Sequence, residues 1–321
     1  MKEHVVITGC AGFIGSHLTM TLLSLGYRVT GIDNLSYGSA KKMNSFSGQK
    51  GFNFIEADAA NIKNLILAPV DVIIHLASEK IPRYSSGYET LQNNLRIGEA
   101  VIDFAIEKKS FILFASTSDV YGKNPTIPFT EESDCVLGSS LNKRWTYAGS
   151  KLITEMKLAA AGRAKGLRFQ IMRFFGCYGP GMNSGWRSGP QQVFFEKALK
   201  KNAMEIHGDG KQTRTYIFID DLIKGVLLLL NHVENDNQIW NFSSPVEEEI
   251  SVIHLAKKIH KLVNGDDEFK PTFIPYSEFG DYEEVKRRVG SSQKAEQLLG
   301  WKAETKLDDG LLLTYRWIQG I

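Results

Sequence analysis

The chain opens with a unit that few folds can accommodate. His4-Val-Val-Ile-Thr8 has the pattern of a short buried strand and runs directly into Gly9-Cys-Ala-Gly12-Phe-Ile-Gly15. Apolar residues at helical spacing follow from Leu18 to Leu25. Gly26 ends that helix, and Tyr27-Arg-Val-Thr-Gly-Ile32 resumes as a strand. In such a unit Gly9 permits a tight turn, Gly12 lets the backbone approach a pyrophosphate, and Gly15 lets the helix pack close to the strand. Phe13 and Ile14 lie between these glycines at the helix N-terminus, whose free N–H groups and dipole favour phosphate. Asp33 ends the second strand, where a carboxylate accepts from both ribose hydroxyls of a dinucleotide and repels a 2′-phosphate. No arginine directly follows it; the next residues are Asn34-Leu-Ser-Tyr-Gly38. The expected cofactor is therefore NAD rather than NADP. The competing accounts, a glycine turn without a ligand and an Asp that merely caps a loop, fit the strand and helix context less well.

Further strands are expected at Phe52–Glu56, Val70–Leu76, Phe111–Ser116 and Leu167–Phe174, and helices at Thr90–Lys108 and Arg144–Lys165. Strands alternating with helices predict an α/β fold with a doubly wound parallel sheet, a Rossmann fold. After Phe175 the pattern changes. Residues Gly176 to Pro190 read as a long glycine-rich loop, and such loops on an α/β scaffold commonly carry binding function. Shorter mixed elements at Gln238–Phe242, Ser251–Val263 and Gln293–Leu299 are expected beyond it, in a smaller substrate-binding lobe.

Two segments carry the chemistry. Tyr147-Ala-Gly-Ser-Lys151 places a phenol and an ammonium four residues apart, on one face of a helix. A free tyrosine, with a pKa of about 10, is a poor base at neutral pH, and a cation beside it favours the phenolate. The pair is thus a candidate to take a proton from a sugar hydroxyl while a hydride leaves the same carbon. Phe111-Ile-Leu-Phe-Ala breaks abruptly into Ser116-Thr117-Ser118-Asp119. Ligands of an open parallel sheet bind at the carboxyl ends of its strands, where Thr117 and Ser118 would meet a substrate hydroxyl and Asp119 would act as acid or base. Each segment alone also fits a plain reading, a surface pair on a helix and an Asp/Ser turn.

The 321 residues suffice for one large domain or two interleaved ones, and the 23% charged and 43% apolar fractions are ordinary for a soluble globule. A net charge of +2 with only short basic groups gives no footprint for nucleic acid. Cys10, Cys135 and Cys177 are few, odd in number and widely spaced, as expected in a reducing cytoplasm. No Cys/His spacing implies a metal site. The longest aliphatic run, Val226 to Leu230, is far too short to span a bilayer, and no signal peptide is evident.

Taken together, these motifs resemble the extended short-chain dehydrogenase/reductases of the NAD-dependent nucleotide-sugar epimerase/dehydratase family. The resemblance covers nearly the whole chain. It rests on the GxxGxxG loop, Asp33-Asn-Leu, Asp58 after the third strand, His75-Leu-Ala77, Ser116-Thr-Ser-Asp-Val-Tyr-Gly122, Tyr147-x-x-x-Lys151, Arg173-Phe-Phe with Tyr178-Gly-Pro180, and Gly208-Asp-Gly-x-x-x-Arg214. It implies that Tyr147 is the catalytic base, that Lys151 lowers its pKa and binds the nicotinamide ribose, and that Thr117 holds the hydroxyl being oxidised. Asp58 and Ala59 would lie near the adenine. Leu76, Ala77, Ser78 and Ser116 would line the cofactor site. Lys80, Arg83, Arg187, Arg214 and Arg288 would contact the nucleotide sugar, with Arg214 on the diphosphate. The substrate is then a UDP-, dTDP- or GDP-sugar, oxidised transiently at C4. Residues 1–175, with 212–242 returning to them, would form the NAD-binding domain. Residues 176–211 and 243–321 would form the nucleotide-sugar lobe. A homodimer through the helices near Thr90–Lys108 and Arg144–Lys165 is implied as well.

Members differ in the step after oxidation. Asp119 stands where dehydratases and decarboxylases resemble one another in carrying Glu, which favours a dehydratase, with 4-epimerase and then UDP-glucuronate decarboxylase as alternatives. Ala77-Ser-Glu-Lys80-Ile-Pro82-Arg83 resembles the matching loop of a hexosamine 5,6-dehydratase. Arg144-Trp145 ahead of Tyr147, with Arg288 ahead of Leu298-Leu-Gly-Trp301, resembles the UDP-glucuronate decarboxylases, where an arginine near C6 suits a carboxylate. Gly176 stands where many members have Asn, and Thr215 replaces a common Asp. A non-catalytic NAD-bound regulator on the same fold is the reading from another class, and the intact Thr117, Tyr147 and Lys151 set argues against it.

Overall fold

The computed structural model describes residues 3–65, 67–80, 84, 86–186, 188–231, 237–266 and 268–321. The strands in chain order are β1 (His4–Thr8), β2 (Arg28–Asp33), β3 (Phe52–Glu56), β4 (Val72–His75), β5 (Phe111–Thr117), β6 (Phe169–Phe174), β7 (Gly176–Tyr178), β8 (Met204–His207), β9 (Thr213–Arg214), β10 (Tyr216–Phe218), β11 (Gln238–Phe242), β12 (Ile250–Ser251), β13 (Pro271–Ile274) and β14 (Arg287–Arg288). A seven-stranded sheet runs in the order β3-β2-β1-β4-β5-β6-β11, with every pair parallel. The chain winds outward from β1 to β3, crosses back, and winds outward again from β4. The strand order therefore reverses between β1 and β4, and a crevice opens at their carboxyl ends, where ligands of such sheets bind.

Both faces of the sheet are covered, as a parallel sheet requires. Val5 and Ile7 of β1 face one core, which includes Leu18 and Leu22 of helix α1 (Phe13–Ser24). Val6 between them faces a second core. That one holds Val101 and Phe104 from the helix Gly87–Lys108 and Leu158 from the helix Trp145–Lys165. Alternate residues of one strand thus feed opposite cores, the period-two signature that a continuous apolar run conceals. Each fully buried side chain of this size contributes about 1.5–3 kcal/mol.

With α2 at Ala40–Met43, the two long helices are α3 (Gly87–Lys108) and α4 (Trp145–Lys165), and they pack against each other. The start of α3 lies ahead of the expected Thr90 because the Ser86 hydroxyl accepts from Glu89 N at 3.3 Å and caps the helix. Helix α4 ends at Gly166, whose φ of 66° is the left-handed turn glycine tolerates.

The second half holds helices α5 (Pro190–Leu199), α6 (Ile219–Asn231), α7 (Val252–Asn264), α8 (Gln293–Leu299) and α9 (Leu307–Gln319). The stretch expected as one loop from Gly176 begins instead as β7, paired in parallel with β10. Gln238–Phe242, expected both among the shorter elements of the smaller lobe and within the 212–242 stretch returning to the cofactor domain, is β11 and lies beside β6 at the edge of the main sheet. Strand β9 lies between β12 and β14, and its register sets Arg214 opposite Arg288. No helix among the described residues is long and apolar enough to cross a membrane. Among them, no group of three His, Cys, Asp or Glu is arranged to hold a metal ion.

Candidate active site

A cleft of about 700 Å³ lies over the carboxyl ends of β1, β4 and β5. Gly9, Gly12, Phe13, Ile14, Gly15, Asp33, Asn34, Asp58, Ala59, Leu76, Ala77, Ser78, Lys80, Ser116, Thr117, Ser118, Asp119, Tyr147, Lys151, Arg214 and Arg288 all line it. Residues drawn from positions 9 to 288 of the sequence thus share one wall. Arg83 and Arg187 lie outside the described residues.

The dinucleotide end fits NAD. Gly9 has a φ of 79°, and a Cβ on Gly15 would sit 2.1 Å from the Gly9 carbonyl oxygen, so only glycine allows that approach. Gly12 precedes α1 with no side chain capping it, which leaves the first helical N–H groups for phosphate. The Asp33 carboxylate accepts from Ala11 N at 3.0 Å and Leu35 N at 2.8 Å. These two bonds aim it and leave lone pairs for a ribose. Asn34 is exposed at the rim, its amide oxygen accepting from Ser36. Asp58 caps Ala60 N at 2.9 Å and pairs with Arg96 at 2.6 Å. Thr8 holds His75 at 2.7 Å beneath the cleft. Burial, and then the charge of Lys151, push that imidazole down to about 3, so it is neutral.

At the other end of the cleft Tyr147 and Lys151 face the tip of β5. Lys151 Nζ donates to the Ala115 carbonyl at 2.8 Å and lies over the Phe114 ring. Burial pushes its pKa down to about 7, against the charge of Glu155, which raises it. Helical spacing led us to expect Lys151 to lower the pKa of Tyr147. Here the Tyr147 phenol is instead raised above its ordinary value, by burial first and then by the Asp119 charge. Its hydrogen bond with Thr117 and the charge of Arg288 act the other way and are outweighed. Spacing brings the two side chains to one helix face, while burial decides the proton affinity. Thr117 Oγ1 also accepts from Asp119 N at 3.2 Å, capping the short turn Ser118–Tyr121 in which Ser118 is buried. Ser116 lines the cleft but turns its hydroxyl to Glu155.

Asp119 does not stand free. Arg144 Nη2 donates to Asp119 Oδ1 at 2.7 Å, and Arg288 Nη1 binds the same oxygen. Burial alone would raise the carboxyl pKa. Arg288, Arg144 and Arg214 more than reverse that and hold it well below the usual carboxylate range. Glu284 supplies a second anion: it accepts from Arg214 Nη2 at 2.9 Å and lies 3.6 Å from Arg144. Arg144 also donates to the Tyr282 hydroxyl at 2.5 Å, yet its buried Nε has no partner among the described residues. Lys80 lies at the exposed rim.

Sequence reasoning alone did not place Glu284, Tyr282, Trp186 or His207 in this cleft, where all four contribute to the lining. Trp186 stacks on His207 with ring centroids 3.9 Å apart. Trp186 lies in the glycine-rich loop after Phe175 and His207 just ahead of Gly208, while Tyr282 and Glu284 sit in a stretch with neither period nor motif, placed by the pairing of β13 with β8 and of β14 with β9 on either side of it.

A doubly wound sheet whose first glycine turn opens into one cleft with a Thr117/Tyr147/Lys151 set defines a dinucleotide-dependent enzyme. The comparisons agree. The model of the NAD dependent epimerase/dehydratase family matches residues 5–242, and the chain belongs to that family. It is 30% identical to the UDP-N-acetyl-alpha-D-glucosaminuronate decarboxylase of Bacillus cytotoxicus, over 100% of this chain and 99% of that one. It is 29% identical to UDP-glucuronic acid decarboxylase 1 of Xenopus tropicalis, over 99% of this chain and 72% of the relative. Among solved structures, the UDP-glucose 4-epimerase of Thermotoga maritima with UDP-glucose superposes with a TM-score of 0.86 at 26% identity, covering 99% of both chains. The protein is therefore an enzyme, and its cofactor is NAD.

Proposed function

We propose that this enzyme decarboxylates a UDP-hexuronate by transient oxidation at C4. The observation that carries the reading is the convergence of Arg144 and Arg288 on one carboxylate oxygen beside Tyr147. A pair of guanidinium groups that already holds a carboxylate is built to receive one. The unpartnered Nε of Arg144 leaves a buried donor for an incoming oxygen. The sequence relatives at 29–30% identity are named as decarboxylases of this substrate class.

In this reading Thr117 and Tyr147 hold the C4 hydroxyl, and Tyr147 takes its proton. Lys151 lies one helical turn along and supplies positive charge for the phenolate from which that transfer starts, which becomes the neutral phenol as it takes the proton. NAD, which Gly9, Gly12, Gly15 and Asp33 would hold, would supply the acceptor and then the donor for the C4 hydride. With C4 a ketone, the C6 carboxylate belongs to a β-keto acid. Arg144 and Arg288 orient it, the C5–C6 bond breaks, carbon dioxide leaves, and the electron pair passes to the enolate oxygen at C4. A proton from solvent at C5 restores the ketone, and Tyr147 returns its proton to the C4 oxygen as the hydride comes back. Arg214, set opposite Arg288 by strand register, is assigned to the diphosphate. Asp119 acts as the ionised partner that keeps the arginines aligned before substrate arrives. The elimination favoured from sequence needs Asp119 as a proton carrier, and a carboxylate gripped by two arginines is a poor one.

Incubation with UDP-glucuronate, UDP-N-acetylglucosaminuronate, UDP-glucose and dTDP-glucose, read by mass spectrometry and proton NMR, tests this. Loss of carbon dioxide from a UDP-hexuronate is the expected result. Loss of water from a neutral hexose would restore the dehydratase reading, and an isobaric product would make the enzyme a 4-epimerase. Tyr147→Phe abolishes turnover and leaves NAD bound.

We assign residues 1–175 with 212–242 to the cofactor domain and the remainder to a sugar lobe, since Trp186, His207, Tyr282 and Glu284 enter the cleft from the latter. We also infer a homodimer through α3 and α4, supported by the exposure of Ile153 and Met156 on α4. The free thiols Cys10, Cys135 and Cys177 fit a cytoplasmic enzyme.

A further inference from the structure

Three consecutive residues at the end of β5 grip three residues of α4 that are spaced four apart. The Ala115 carbonyl accepts from Lys151 Nζ at 2.8 Å, the Ser116 hydroxyl donates to Glu155 Oε1, and the Thr117 hydroxyl hydrogen-bonds Tyr147. Tyr147, Lys151 and Glu155 lie on one helix face. The Ser116–Glu155 grip is itself anchored. Arg173 of β6 donates to Glu155 through Nε at 3.1 Å and Nη2 at 2.6 Å, and both side chains are almost wholly buried. Arg173 also lies over the Tyr121 ring, 4.7 Å from its centroid, and reaches the Glu131 carbonyl at 3.4 Å. A buried ion pair is a weak source of stability, because apolar residues of the same volume do as well. Its presence one turn beyond Lys151 calls for a different reason.

We propose that Glu155, fixed by Arg173 and Ser116, is a positioning residue that holds α4 in register on the tip of β5 and sets its carboxylate one helical turn from Lys151. The inference rests on the roles given above to Tyr147 and Lys151. Two strand–helix grips fix a point and a direction; the third prevents α4 from sliding by the fraction of an ångström that would part Tyr147 from Thr117. Among the described residues, the groups facing Lys151 are few. From α4 come Tyr147 and Glu155, from β4 the neutral His75, and from β5 the Phe114 ring and the Ala115 carbonyl. Asp119 acts on Tyr147, and Arg173 acts on Glu155. Glu155 is therefore the anion that opposes desolvation of the Lys151 ammonium.

The test uses the full chain loaded with NAD. Glu155→Gln keeps the shape and removes the charge. Its kcat falls about 10- to 100-fold with KM changed less than about twofold, as expected when only the transition-state geometry is lost. The Lys151 titration, followed directly by NMR of isotopically labelled lysine, moves to lower pH by about one unit. Because Glu155→Gln leaves Arg173 buried and unpaired, Glu155→Gln/Arg173→Met is measured beside it; this double variant restores neutrality, folds, and still shows the shifted titration. Glu155→Asp recovers part of the rate. An unchanged Lys151 titration in whichever of the two variants folds would overturn the proposal, as would a kcat loss that only tracks the folded fraction. The NMR readout needs no substrate. A wrong choice of sugar therefore leaves this test intact, and a Tyr147→Phe enzyme that still turns over would sink the catalytic reading while the Lys151 titration stands on its own.

Discussion

Arg144 Nη2 lies 2.7 Å from Asp119 Oδ1, although the two residues enter the cleft on different elements, Arg144 just ahead of α4 and Asp119 in the turn after β5. The bond joins the helix that carries Tyr147 to the strand end that carries Thr117. It also fixes which anion occupies the arginine cluster in the absence of substrate. Three consequences are open to measurement.

Arg144→Lys keeps a positive charge but loses the planar fork that meets a carboxylate with two donors. The expected outcome is a fall of about 100-fold in kcat/KM for a UDP-hexuronate, equivalent to about 2.7 kcal/mol. NAD content should stay at the wild-type level, since Arg144 lies at the sugar end of the site. Steady-state kinetics on purified holoenzyme decide it, and a change of less than about threefold would remove Arg144 from carboxylate recognition.

Asp119 has a folded-state pKa depressed below its unfolded value of about 3.9. The unfolded chain therefore binds more protons as the pH falls through that region. The stabilisation from its arginine partners is fully present above about pH 4 and is lost as the pH drops toward the folded value. Asp119→Asn should cost about 3 kcal/mol at pH 7, because two guanidinium groups lose their shared anion. Urea melts at pH 7, 5 and 3 should show the gap between wild type and variant steady across the first two and narrowed at the third. A gap that does not narrow would mean that Asp119 is not held ionised by Arg144 and Arg288.

Lys151 carries the opposite linkage. Burial pushes its folded pKa down to about 7, against an unfolded value of about 10.4. Between those values the unfolded chain holds more protons, so stability rises with pH; below about 7 the cost of the buried ammonium is present in full. Lys151→Met should accordingly raise Tm by several degrees at pH 6.5, with a gain that shrinks toward pH 10, and should abolish turnover. Calorimetric scans across that range check the sign. A variant less stable than wild type at pH 6.5 would show that the Ala115 contact outweighs desolvation.

The opening unit was legible because its signals are local. The alternation of strand and helix, the turn at Gly9 and the close packing at Gly15 are properties of adjacent residues, and β1, α1 and β2 follow them closely. Asp33, Thr117, Tyr147 and Lys151, which line the cleft, could be singled out for the same reason, since each sits at a fixed offset from an element end. The stretch after Phe175 was not legible in this way. Strand β7 is three residues long and exists because β10 pairs with it, whereas Gln238–Phe242 was legible as an element and only its pairing partner, β6, was not. Short strands carry too little periodicity to announce themselves.

The sequence by itself determined a Rossmann scaffold, an NAD site and a Tyr147–Lys151 pair on one helix face, because turn chemistry and i,i+4 spacing act over a few residues. Only the tertiary structure decided what surrounds that pair. The register of β14 on β9 sets Arg288 opposite Arg214, and the approach of α4 to β5 closes Arg144 on Asp119. Burial then raises the Tyr147 phenol against the expectation from spacing, and it lowers the Lys151 ammonium. Charge and desolvation depend on everything within several ångströms in space, and neighbours that close can lie far apart along the chain.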